Sequence, residues 1–127
     1  MALKRRLMAA LALGGALMAS GARAQADATA ADVRCLVVLG IVSDMAEASN
    51  KPRVTAALTY YLGRLDGRTP SLDLEAQMAA EGAKLSPQDL RAEAVSCGQA
   101  VATRGEAVRA IGDRLKAMVQ GQAPAPK

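Results

Sequence analysis

Three basic residues, Lys4, Arg5 and Arg6, precede an apolar run from Leu7 to Met18, which gives way to two small-x-small endings, Ala22-Arg23-Ala24 and Ala24-Gln25-Ala26. This is the layout of a secretory signal peptide. It predicts cleavage of residues 1–26, with Ala26/Asp27 preferred over Ala24/Gln25, and places the mature chain in the periplasm or outside the cell. The fold must then be built from about 100 residues, enough for one small domain, in an oxidising compartment. The rival reading is an uncleaved membrane anchor. Spanning takes about 20 apolar residues, whereas Gly14-Gly15 interrupts this stretch and Ser20-Gly21 ends it. No cysteine follows the run, so lipidation there is excluded.

Cleavage also removes the basic character of the precursor. Lys4, Arg5, Arg6 and Arg23 leave with the signal and no acidic residue does, so the 16 basic and 12 acidic residues of the whole chain become 12 and 12. A neutral chain with no charge cluster gives no reason to expect nucleic acid or stable membrane insertion.

Ala dominates the mature part, Leu and Val supply bulk, and Phe, Trp and His are absent. Helices of small side chains pack closely but bury little area each, so the core alone gives marginal stability. Cys35 and Cys97 are the only cysteines. Export makes a structural disulfide between them the default, although free or intermolecular thiols remain open. A redox couple is disfavoured because the pair lacks Cys-x-x-Cys proximity.

The expected fold is all-α: a small bundle of four to five helices over 27–119, stapled by that disulfide, followed by a disordered tail at 120–127. Asp27 or Thr29 is the expected cap of the first helix, which runs to about Ser49. Its centre, CLVVLGIV, is apolar on all sides, and a buried strand is its rival. Nothing else in the chain offers that strand a partner. After Asn50-Lys51-Pro52, Val54, Leu58, Tyr61, Leu62 and Leu65 mark a second, amphipathic helix. It ends at Asp66-Gly67, with Gly67 the candidate left-handed residue. A third helix around Leu72, Met78 and Leu85 starts near Asp73 and Glu75 and weakens at Gly82. Ser86-Pro87-Gln88-Asp89 is a strong start for the last helix.

From Leu90 an apolar and small seam runs through Ala94, Cys97/Gly98, Val101, Gly105, Val108, Ile111/Gly112, Leu115 and Val119. Gly98, Gly105 and Gly112 are seven apart and read as a stripe against which a neighbouring helix can pack closely. Chance in a Gly- and Ala-rich chain is the rival. Unbroken, the helix would be about 50 Å long, so a break near Arg104-Gly105 is an open alternative.

Without His, the commonest general base and metal ligand is missing, and Ser-His-Asp and Cys-His chemistry is excluded. No catalytic residue, metal site or cofactor site is expected. The densest polar-aromatic patch comprises Arg53, Tyr60, Arg64, Asp66 and Arg68. It reads either as a recognition edge or, more strongly, as structure, with Arg paired to helix-end carbonyls and Asp66 and the Tyr rings covering a thin core.

The export signal, the cysteines Cys35 and Cys97, the Lys51-Pro52 restart and Ser86-Pro87 before the last helix together resemble small disulfide-bonded periplasmic acid-stress chaperones of the Hde type. That resemblance implies client binding by apolar surface after partial opening in acid. The segment between the cysteines is longer than in that family, and YYLGRLDGR is not a motif of it. A second resemblance, to small exported proteins of α-proteobacteria, implies no function. The expected function is non-catalytic binding of an unknown protein partner or client, chaperone-like and stress-related. An accessory subunit of a cell-envelope assembly is the alternative, a His-independent enzyme a lesser one, and a homo-oligomer stays open.

Overall fold

The computed structural model describes residues 2–121, with side chains from Ser20 onward. Four helices follow one another: α1 (Ala2–Met45), α2 (Lys51–Arg68), α3 (Leu74–Gly82) and α4 (Pro87–Val119). The Cys35–Cys97 disulfide joins α1 to α4. The architecture is the small all-α bundle with one staple that the sequence predicts.

The apolar segment of α1 is helical, and Val33, Leu36, Val38 and Leu39 are buried. Burial does not extend all round to its end, because Ile41 is 45% exposed. Packing against the rest of the molecule begins near Ala28, while Ser20 to Asp27 are exposed. Thr29 does not cap α1: it lies within the helix, buried, its hydroxyl donating back to the Gln25 carbonyl. Asp27 also lies inside the continuous helix.

Against this stretch α2 lays Ala57, Tyr61 and Leu65, with Val54, Leu58 and Tyr60 at the edge of the core. Leu62 is displaced from that stripe and is 41% exposed. Asn50 occupies the cap position before Pro52, but its side chain makes no capping bond. Gly67 is not left-handed. The helix continues to Arg68, and Thr69 closes it by donating both its N–H and its hydroxyl to the Leu65 carbonyl. The reason is tertiary: Arg68 is held in the helix by an ion pair to α1.

The short α3 is capped by Asp73, whose carboxylate accepts from the Ala76 N–H. It sits against α1, with the space beside Gly82 limited by Val37. Leu72, Leu74 and Met78 pack on the core. Ser86 caps α4 by accepting from the Asp89 N–H, Pro87 opens its first turn and Asp89 faces its positive end.

No break interrupts α4 at Arg104-Gly105. Only its first half packs: Cys97 is buried and Val101 half-buried, whereas nearly every residue from Ala102 to Gln120 is exposed. The left-handed glycine closes this helix instead, at Gly121 (φ 69°). Of the tail expected at 120–127, residues 122–127 lie outside the described residues.

Candidate binding site

Where α1 ends, α2 begins and α4 passes, the three helices enclose an open groove of about 1140 Å³. Leu39, Val42 and Met45 form one wall, Val54 and Ala57 another, and Gly98, Val101 and Gly105 the third. Glu47, Arg53, Glu106 and Arg109 form a charged rim of balanced sign. Apolar walls under such a rim suit an apolar segment with polar flanks.

The glycine stripe contributes to this groove and does not pack against a helix of its own chain. A Cβ placed on Gly98, Gly105 or Gly112 meets nothing within 4 Å. Two of the three glycines line the groove, and the missing side chains are part of what makes room there. Beyond it the same face of α4 carries Val108, Ile111, Leu115, Met118 and Val119, exposed by 58, 47, 52, 57 and 87%.

The polar-aromatic patch divides in two. Arg53 lines the groove. Tyr60, Arg64 and Arg68 assemble elsewhere, around a residue the sequence reading did not single out. Asp32 is 4% exposed and takes ion pairs from Arg64 (3.0 Å) and Arg68 (2.9 Å). It, and not the exposed Asp66, is the carboxylate partner of these arginines. Arg64 also donates to the Tyr60 hydroxyl and lies over the Tyr60 ring. That hydrogen bond is the main cause holding the guanidinium even more firmly protonated than usual. Tyr60 meets Tyr61 edge to face at 5.1 Å. The clue to Asp32 was complementary spacing: a carboxylate bordering an apolar run, and two arginines four residues apart on another helix.

A second ionic tie joins α1 to α4, Arg34 to Glu93 at 2.7 Å. The hydrogen bond that Arg34 donates to the Glu93 carboxylate is the main cause raising the Arg34 pKa. Lys84 pairs with the buried Glu81 at 2.6 Å. The Tyr61 hydroxyl donates to the Cys97 carbonyl at 2.9 Å, and burial pushes the Tyr61 pKa up.

Among the described residues no group of three or more His, Cys, Asp or Glu could hold a metal ion, and no helix is long and apolar enough to cross a membrane. The groove offers Glu, Arg and Asn as its polar side chains, groups able to orient a bound chain by charge. Fold and groove together define a disulfide-stapled helical bundle with one open apolar face. Compared with protein-family models, curated proteins and solved structures, the chain matches none.

Proposed function

We propose that the chain is an exported, non-catalytic binding protein of chaperone type, which engages apolar segments of other polypeptides when acid loosens its bundle. One observation carries this reading: the ties between helices are of two kinds, ionic and covalent, and only the ionic kind depends on charge. Asp32–Arg64, Asp32–Arg68 and Arg34–Glu93 depend on ionised carboxylates, whereas Cys35–Cys97 is covalent. Protonation releases the first kind and leaves the second, so the chain opens without dispersing. The groove and the α4 face supply the apolar surface.

Export is supported by the disulfide, which persists in oxidising compartments, and by the exposure of Ser20 to Ala26, whose removal takes no buried side chain and only the Gln25 carbonyl that accepts from the Thr29 hydroxyl. The test is suppression of aggregation of an acid-unfolded client protein by the disulfide-intact chain as pH falls. A second reading, an accessory subunit of an envelope assembly, is favoured by the projecting half of α4, which presents one fixed helix face. On that reading the chain gives no protection in acid and binds one partner at fixed stoichiometry near neutral pH.

A further inference from the structure

We propose that two copies of this chain pair through the free half of α4, Ala102 to Val119, and the adjoining groove wall at Val101, in antiparallel register. This goes beyond the function proposed above and stands on the geometry of α4 and the groove beside it; it covers the face which that function gives to clients, so a client reaches that face only once the pair has parted. Five exposed aliphatic side chains lie on this half-helix. Its seam has two alternating positions, one filled by Gly98, Gly105 and Gly112, the other by Val101, Val108 and Leu115.

In a parallel pair each glycine would face its own twin and leave a void. Running the second helix the other way exchanges the two seam positions across the interface. With the two-fold axis level with Ala110, Gly105 faces Leu115 of the second copy, Val108 faces Gly112, and Val101 faces Val119. Gly105 and Gly112 then each receive an aliphatic side chain, and the empty space at their Cβ positions is the hole that the knob fills. The same superposition brings Leu115, Met118 and Val119 of each copy to the groove wall at Val101 and Gly105 of the other.

Charge follows the same register. On one flank, two residues off level with the core pairs, Glu106 comes near Lys116 of the second copy and Arg109 near Asp113, and the symmetry repeats both pairs; Arg109 also approaches its own copy there, between these carboxylates. Ile111 meets its own copy on the other flank. The pairing covers Val108, Ile111, Leu115, Met118 and Val119 of both copies, all exposed in the single chain. An isologous, closed dimer is the assembly such a self-complementary face forms. A client peptide on this face would have no reason to match the seven-residue spacing or the paired charges.

Sedimentation equilibrium of the purified protein, disulfide intact, tests the pairing. Twice the chain mass is expected, with Glu106→Lys and Lys116→Glu each raising the dimer Kd roughly tenfold and the double variant restoring it. Both positions are exposed, so neither change threatens the fold. Under mild oxidation Ile111→Cys crosslinks two chains, and Val119→Cys, which lies far from its own copy, does not. A monomer at every soluble concentration overturns the proposal. So does a dimer indifferent to both charge changes, or one that crosslinks through Val119→Cys and not through Ile111→Cys.

Discussion

The Tyr61 hydroxyl donates to the carbonyl of Cys97 at 2.9 Å, so the residue that ties α4 to α1 through its sulfur also ties α4 to α2 through its backbone. Three helices therefore meet at one residue. Tyr61→Phe keeps the ring in the core and deletes only this bond, and should cost about 1 kcal/mol in denaturant unfolding. The Tyr61 pKa is raised by burial first and by nearby Asp32 second. A raised pKa in the folded state means stability that is intact below pH 10 and lost as pH rises through the folded value. Wild type should lose stability in that alkaline range, and Tyr61→Phe should lose less.

The staple closes a loop with a sequence separation of 62, and on the chain-entropy account contributes about 4 kcal/mol. Changing both cysteines to Ser should lower unfolding stability by about 2 to 5 kcal/mol. Thiol labelling of the native protein should detect no free cysteine; two reactive thiols per chain would contradict the pairing.

Asp32 is buried against two arginines that remain partly in water. Removing its charge strands both guanidiniums beside the core. Asp32→Asn should destabilise by roughly 2 to 3 kcal/mol, below the usual cost of breaking a fully buried pair because solvent still reaches the arginines. Asp66→Asn, at an exposed site, should change stability by less than about 0.5 kcal/mol, and thermal melts of the two variants distinguish them.

A Cβ on Gly105 meets open space within the chain. Gly105→Ala should therefore raise the stability of the dilute monomer by up to about 1 kcal/mol through helix propensity. A lowered melting temperature at dilution would mean that a neighbour of the same chain packs there.

What local chemistry dictates could be read from the sequence. Ser86-Pro87 and Asp73 begin helices because a side-chain oxygen three residues upstream satisfies a free N–H, and the cysteine pair announced its bond. What depends on the register between helices could not. Gly67 has every local reason to end α2, yet Arg68 stays helical because Asp32 is 2.9 Å away on α1. The periodicity of α4 revealed an apolar face but not what covers it. The shorter helices end before its second half, and the glycine stripe, legible as spacing, faces outward for that reason.

The chemistry of opening gives the most direct test of the account. Protonating the 12 carboxylates of residues 27–127, the proposed mature part, leaves its 12 basic residues unbalanced and takes it from neutral to about +12. Self-repulsion then acts on a bundle whose carboxylate ties have been released and whose disulfide remains. The decisive measurement follows hydrophobic-dye binding by the disulfide-intact protein and light scattering of an acid-unfolded client from about pH 4 down to pH 2. The account predicts that dye binding rises and client aggregation falls over the same interval. Dye binding that rises while the client aggregates unprotected would reduce the opening to acid denaturation and contradict the chaperone reading.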